Sequence, residues 1–309
     1  MKPFFSIVVP TYNRAHLIAK AIDSVMAQTY AEWELLIVDD GSKDNTREVV
    51  TAYTDPRVKY IYQQNAERSA ARNNGIKQAL GTYICFLDSD DYYLPNRLQL
   101  LYQELEKRNF PVAAFYTGLV FDVDGALSNF EQPLAETATL DYIATSTIHS
   151  QQACIHATIL KQFNYDTAFH IGEDMELWLR IVDKYPFYYF DNQFTVVVLE
   201  HDNRSVNIRK YNTYPDRLRM LKRVFSDSHP GKNISAKIKR ELISTSYFGI
   251  AKYFIYTGKR WQAVFYLLRA IFTDMGSIQN KYRLNLIIHL VIRRVSDQKM
   301  EELLGTQVS

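Results

Sequence analysis

Apolar residues along the first two hundred positions fall into two alternating kinds of run. Phe5 to Val9 is a continuous apolar, β-branched stretch. Ala15 to Gln28 follows it with Leu17, Ile18, Ile22 and Val25 at helical spacing. Trp33 to Val38 reads as a second strand that stops at the turn sequence Asp39-Asp40-Gly41-Ser42. Asn45 to Tyr53 predicts a helix, Val58 to Tyr62 a third strand, and Ser69 to Leu80 a helix with Gly81 as its C-terminal stop. Tyr83 to Leu87 is a fourth strand that runs into Asp88-Ser89-Asp90-Asp91. Such alternation, with strands that are apolar throughout, predicts an α/β fold whose central sheet is mostly parallel and flanked by helices. Ligands of such sheets lie beyond the carboxyl ends of the strands, where both acidic clusters are expected.

Downstream, Arg97 to Lys107 is an amphipathic helix entered after Pro95. Val112 to Val123 predicts a strand closed by the turn Asp122-Val123-Asp124-Gly125. Positions 126 to 170 show no sustained period and predict no element. Gly172-Glu173-Asp174 opens a helix through Val182, and Phe187 to Leu199 is rich in strand-forming aromatic and β-branched residues. From about Arg204 the strand pattern ends. The rest, to about Leu304, reads as helices with Lys and Arg on their polar faces. Ala251, Phe254, Gly258, Ala263, Leu267 and Ala270 follow the small/large spacing of one tetratricopeptide-like helix pair, without neighbouring repeats to stack on it. The segment Arg283 to Arg294 is apolar with basic ends, suited either to a membrane surface or to packing on the body. The expected division is a catalytic domain over 1–206 and a basic helical region over 207–309.

With 47% hydrophobic residues the chain carries enough apolar surface for a packed core, which excludes wholesale disorder. Its two cysteines, Cys85 and Cys154, are too few for a disulfide scaffold and suit a reducing, cytoplasmic setting. The N-terminal apolar run is cut by Pro10 and reads as a strand rather than a signal peptide. No run of 18 or more uncharged apolar residues is present. The net charge of +2 conceals an asymmetry: through Asp202 there are 16 Lys and Arg against 27 Asp and Glu, and from Asn203 onward 20 against 7. An acidic body with a basic tail points either to an anionic partner of the tail, such as a membrane face, or to a solvated helical surface. The tail is also open to packing on a second subunit, and no nucleic-acid partner is expected.

Two acidic clusters at strand ends and a third acidic pair opening a helix suggest chemistry on a phosphorylated substrate. Displacing a nucleotide diphosphate from a sugar needs a positive charge on the leaving group and a base for the incoming hydroxyl. Grouped carboxylates supply the hard oxygen ligands that Mg²⁺ or Mn²⁺ takes. The segments Pro10-Thr11-Tyr12-Asn13, Val38-Asp39-Asp40-Gly41-Ser42, Ala71-Arg72-Asn73-Asn74-Gly75 and Phe86-Leu87-Asp88-Ser89-Asp90-Asp91, with Glu173-Asp174 before Trp178 and Arg180, occur in a fixed order. In that order and spacing the chain resembles family 2 inverting glycosyltransferases of the GT-A fold, over roughly residues 3 to 206.

The resemblance implies a nucleotide-sugar donor, a UDP-sugar by family habit, and a glycan or lipid-linked glycan acceptor in cell-surface polysaccharide synthesis. It implies that Thr11, Tyr12 and Asp39, with Pro10 and Asn13, hold the nucleobase and ribose, and that Arg72 contacts the nucleotide end of the donor. Asp88-Ser89-Asp90 corresponds to the family's Asp-x-Asp motif: Asp90 would bind the metal, with Asp88 toward the ribose or sugar. Asp174 would be the catalytic base, and His201 would complete the metal or phosphate site. Asp91 is expected to be a cap or turn residue. The chain departs from the family at Glu67-Arg68-Ser69, where many relatives carry a glycine. Two rival readings are a sugar-phosphate nucleotidyltransferase, which should carry a glycine-rich basic loop near its first strand, and a non-catalytic scaffold, which should have lost some of these acids. Neither pattern is present.

Overall fold

The computed structural model describes residues 2–123, 125–129, 135–199 and 212–293. The chain divides into two compact units, Met1–Glu200 and His201–Ser309.

The first unit is built on one nine-stranded sheet. Its strands are β1 (Phe5–Thr11), β2 (Trp33–Asp39), β3 (Val58–Tyr62), β4 (Tyr83–Phe86), β5 (Tyr92–Tyr93), β6 (Ala114–Val123), β7 (Ala126–Asn129), β8 (Ala153–His156) and β9 (Phe187–Leu199). They lie in the order β3-β2-β1-β4-β8-β6-β9-β5, with β7 paired to β6. The helices are α1 (Ile18–Met26), α2 (Thr46–Thr51), α3 (Glu67–Gln78), α4 (Arg97–Lys107), α5 (Leu140–Thr145), α6 (Ala157–Gln162) and α7 (Glu173–Val182). Every residue of β1, β2 and β4 is buried, which is why these strands read as unbroken apolar runs.

The parallel pattern holds for β1 to β4 and returns at the β6–β9 pair. In between, β8 inserts antiparallel to both β4 and β6, and β5 pairs antiparallel with β9. The sheet is therefore mixed, and its antiparallel half comes largely from the stretch that shows no period in the sequence.

Gly81 is not a helix stop, since α3 ends at Gln78. It lies where a Cβ would come within 2.6 Å of the Ser6 nitrogen, so the chain needs glycine there for close approach to β1. Gly75 has a similar role, because a Cβ would meet Val8 Cγ1 at 2.4 Å, and this lets α3 lie directly on β1. Ser6 Oγ donates to Glu34 Oε1 at 2.6 Å and accepts from the Gly81 nitrogen, while Lys59 Nζ pairs with Glu34 Oε2 at 2.7 Å. The buried Glu34 carboxylate thus ties three strands and the α3–β4 connection together. Cys85 and Cys154 face each other across the β4–β8 pair, both buried and free.

The second unit contains α8 (Tyr214–Val224), α9 (Ala236–Tyr256), α10 (Arg260–Thr273) and α11 (Asn280–Ile288), followed by a π-turn at His289–Arg293. Its core joins Ala251 and Ile255 of α9, Ala263, Leu267 and Ala270 of α10, and Leu286 and Leu290. The tetratricopeptide-like spacing therefore corresponds to one helix hairpin, α9–α10, turned at Gly258. The segment from Arg283 packs by one face: Arg283, Leu286 and Leu290 are buried, with the Arg283 guanidinium donating to Ser244 Oγ and Asn280 Oδ1, while Leu284, Ile288 and Val291 are exposed. None of the described helices is long and apolar enough to cross a membrane.

Candidate active site

The carboxyl ends of β1, β2 and β4 converge at one edge of the sheet, and four loops meet there. The β1 loop is latched to the β2 loop. Asn13, at φ +51°, donates its backbone N–H to Ser42 Oγ at 2.8 Å, and its Oδ1 accepts from the Lys43 nitrogen at 2.8 Å. Asp39 is buried at the end of β2. Its Oδ1 accepts from the Ser42 nitrogen at 2.8 Å and its Oδ2 from the Tyr60 hydroxyl at 2.6 Å. Burial, and then the Asp39 charge, push the Tyr60 phenol well above its ordinary range, so it stays a donor. A carboxylate has about four acceptor positions, so Asp39 keeps capacity for a further donor. Thr11 Oγ1, also buried at this edge, has no hydrogen-bond partner, and the Tyr12 ring is exposed. Asp40 turns the other way: its Oδ1 accepts from Gln63 Nε2 and the Ala66 nitrogen, fixing the entry to α3.

That entry contains the departure noted in the sequence. Glu67 has φ +71°, in the left-handed region that glycine adopts without steric cost. The glutamate keeps the loop shape that a glycine would have given, at the expense of backbone strain.

Beyond it, each polar residue of Ala71-Arg72-Asn73-Asn74 has a partner. Arg72 is buried at the centre. Its Nη2 donates to Asp88 Oδ1 at 2.9 Å, and its Nη1 lies 3.3 Å from Glu173 Oε1 and 3.8 Å from Asp174 Oδ1. Its Nε has no partner. Asn73 exchanges two hydrogen bonds with the backbone of Tyr165, and Asn74 donates to Gln63 Oε1. One buried guanidinium therefore collects acids from the end of β4 and from the start of α7, two elements far apart in the sequence.

Glu173 and Asp174 open α7 just after Gly172, whose φ of +77° provides the left-handed corner before the helix. Both carboxyl groups sit in the first turn, at the positive end of the helix. Glu173 Oε1 also accepts from Arg68 Nε at 2.8 Å. Burial, and then the neighbouring Asp174, still raise the Glu173 carboxyl above its usual range, against the pull of Arg68 and Arg72. Asp174 is held from the other side, by the 3-10 turn Ser150–Gln152. The Ser150 hydroxyl donates to Oδ1 and its backbone nitrogen to Oδ2, the latter at 3.1 Å. Tyr165 OH lies 2.7 Å from Ser150 Oγ. Since Ser150 gives its proton to Asp174, the geometry makes Tyr165 the donor behind it. Burial pushes the Tyr165 phenol up, which keeps that proton in place.

The remaining acids divide as follows. Asp88 is about one-third exposed, and Asp90 reaches outward to within 3.8 Å of Arg14 Nη2. Ser89 between them is buried. Asp91 is buried: its nitrogen donates to the Asp88 carbonyl at 3.1 Å, closing a turn, and its carboxylate accepts from Gln151 Nε2 at 2.6 Å, anchoring the Ser150–Gln152 turn. Among the described residues no three His, Cys, Asp or Glu side chains gather into a metal-binding group. Asp88 and Asp90 offer two partly exposed hard-oxygen donors. That set fits a divalent cation that shares its coordination with phosphate oxygens and water, and does not make a closed protein cage. His201 lies outside the described residues.

Arg72, Asp88 and Asp174 are brought into direct contact, Asp90 lies beside Arg14, and Thr11 and Asp39 sit side by side at the ends of β1 and β2. Sequence reasoning misses Ser150 and Tyr165, which sit in the stretch without periodicity and carry no motif. It also misses Arg14 and Arg68, ordinary surface cations by pattern.

A family model described as glycosyl transferase family 2 matches residues 6–160, half of the chain. The chain belongs to glycosyl transferase family 2. Among curated relatives, this family 2 protein is 35% identical over 179 residues to an Escherichia coli enzyme, covering 57% of this chain and 69% of the relative. That relative is named UDP-Glc:alpha-D-GlcNAc-diphosphoundecaprenol beta-1,3-glucosyltransferase WfgD. It is 25% identical over 313 residues, 97% of each chain, to the GalNAc(5)-diNAcBac-PP-undecaprenol beta-1,3-glucosyltransferase of Campylobacter jejuni. Some longer glycosyltransferase relatives match over only 18% of their length. Among solved structures, S. aureus TarS 1-349 in complex with UDP-GlcNAc superposes with a TM-score of 0.64 at 18% identity, covering 93% of this chain and 86% of that one. At that identity the likeness speaks for the fold, which is GT-A-like with a C-terminal helical region.

Proposed function

We propose that this family 2 glycosyltransferase moves a sugar, with inversion, from a UDP-sugar to a hydroxyl of a lipid-linked glycan in cell-surface polysaccharide synthesis. The observation that carries the reading is the buried Arg72, which joins Asp88 at the end of β4 to Glu173 and Asp174 at the start of α7. In this reading the nucleotide side of a donor would lie beside Asp174 as the base. The lipid-linked acceptor rests on the undecaprenol-diphosphate substrates in the names of the two relatives.

In this reading Thr11, Tyr12 and Asp39, with Pro10 and Asn13, bind the nucleobase and ribose, and Asn13 latches the β1 loop to the β2 loop. Asp88 and Ser89 face the ribose or sugar. Arg72, whose guanidinium is already held by carboxylates, contributes by fixing Asp88 and Asp174 relative to the donor. Asp90 and Asp88 would hold Mg²⁺ or Mn²⁺, with His201 as a further ligand. When bound, the cation neutralises charge on the departing diphosphate. Asp174, aimed by Ser150, takes the acceptor's proton as the hydroxyl oxygen bonds to the anomeric carbon. The bond from that carbon to the diphosphate oxygen breaks on the opposite face, and nucleoside diphosphate leaves with the bonding pair. The domain division follows the chemistry: residues 1–206 catalyse, and 207–309 serve to locate the enzyme at a cytoplasmic membrane face.

Calorimetric titration of UDP, with and without Mn²⁺, into the protein and an Asp90→Ala variant tests this. Manganese-dependent binding that is lost in the variant supports the reading. Silence toward uridine, guanosine and thymidine diphosphates in both conditions sinks it.

A further inference from the structure

Helix α10 is apolar on two opposite faces. One face, Ala263, Leu267 and Ala270, is buried in the core of the second unit. On the other, Trp261, Phe265, Leu268 and Phe272 stand at spacings of four, three and four residues, within roughly a 60° arc at 100° per residue. All four are exposed, Trp261 by 65% and Phe272 by 70%. The turn that follows extends the stripe with Met275, 76% exposed, and Ile278, 95% exposed. An aligned set of large apolar side chains in water marks a contact surface.

The charge around the stripe selects its partner. From Ala251 to Arg293 there are seven Lys and Arg and a single acid, Asp274. Lys259, Arg269 and Lys281 are exposed, and Arg269 also lies over the Phe265 ring. A second copy laid on this face by two-fold symmetry would set these cations against themselves, with only Asp274 to answer them. An anionic bilayer meets both features: apolar side chains enter the acyl boundary, Trp sits at the headgroup level, and Lys and Arg meet lipid phosphates. We propose that the exposed face of α10, with Met275 and Ile278, is a docking surface for an anionic lipid bilayer. The choice of occupant accords with the lipid-linked acceptor proposed above, whose reacting hydroxyl is offered at a membrane surface.

Trp261 supplies the reporter. Trp33 and Trp178 are buried in the first unit, so a change in emission on adding vesicles comes from Trp261. The full chain, without nucleotide, is mixed with phosphatidylcholine vesicles or with vesicles containing phosphatidylglycerol. We expect cosedimentation and a blue shift with the anionic vesicles, weakened by salt. Phe272→Ser with Ile278→Ser should lower partitioning about tenfold or more, since each removes a large apolar group from the boundary. An unchanged thermal melt shows that the double variant still folds. Absence of vesicle binding overturns the proposal, as does equal binding by the double variant. A dimer seen by light scattering that dissolves in the variant also overturns it, because the face would then be a self-interface. UDP titration of the same sample separates the two readings. Nucleotide binding without vesicle binding sinks only the docking surface, and vesicle binding without nucleotide binding sinks only the donor assignment.

Discussion

Replacing Arg72 with Met keeps most of the side chain's length and removes its charge from the centre of the site. The Arg72 side chain is 4% exposed and that of Glu173 6%, so the change leaves a buried carboxylate short of one cation. Breaking a buried ion pair from one side costs about 3–5 kcal/mol. The lower end applies here, because Arg68 still donates to Glu173 and Asp88, about one-third exposed, can recover water. About 3 kcal/mol corresponds to a fall in Tm of roughly 6–12 °C for a unit of this size. Glu173 also fixes the pH dependence. Its folded pKa is raised above the unfolded value, chiefly by burial, so its ionised form costs stability at higher pH and the cost fades as pH falls through the folded pKa. Loss of Arg72 raises that pKa further. The deficit of Arg72→Met should therefore be largest at neutral and alkaline pH and shrink on acidification. The assay is denaturation followed by emission of the buried Trp33 and Trp178, for Arg72→Met, Glu173→Gln and the double variant. Adding Glu173→Gln to the Arg72→Met variant should recover at least half of the loss. A deficit under about 1 kcal/mol, or no recovery in the double variant, would refute the view that the Arg72–Glu173 pair carries this energy.

Two further outcomes follow from the same physical reading. Glu67→Gly should raise stability by about 0.5–1 kcal/mol in the same denaturation assay, because relief of the left-handed strain outweighs the added freedom of the unfolded chain; a loss would show that the Glu67 side chain matters more than its backbone. Burial opposes ionisation of Glu34, but the bonds from Lys59, Ser6 and the Leu80 nitrogen win and hold its pKa below the usual value. Its contribution is thus present above the unfolded pKa and lost as pH falls through the folded one. Glu34→Gln should destabilise at pH 7 and converge with the wild type in acid, and a pH-independent difference between their melts would contradict this.

The sequence alone determined the parallel half of the sheet and the edge at which the site forms. Strands β1, β2 and β4 are buried on both faces and so are written as unbroken apolar runs, and acids follow at the carboxyl ends of β2 and β4. Local chemistry was also legible: the turn at Asp39-Asp40-Gly41, the helix opened by Glu173 and the single helix hairpin of the tail each depend on neighbours within a few residues. The antiparallel strand β8 was not legible, because four residues between a 3-10 turn and a short helix are too few to set up a period. The work of Ser150 and Tyr165 was hidden for the same reason, since a serine hydroxyl has no meaning until the fold brings it to Asp174. Sequence spacing could name Arg72 but could not show that it is buried among three carboxylates, two of them from a helix about a hundred residues further along the chain. Nor could composition tell which basic, apolar helix of the tail would pack and which would keep an aromatic face in water. That depended on which face α9 and α11 covered, and only tertiary packing decides it.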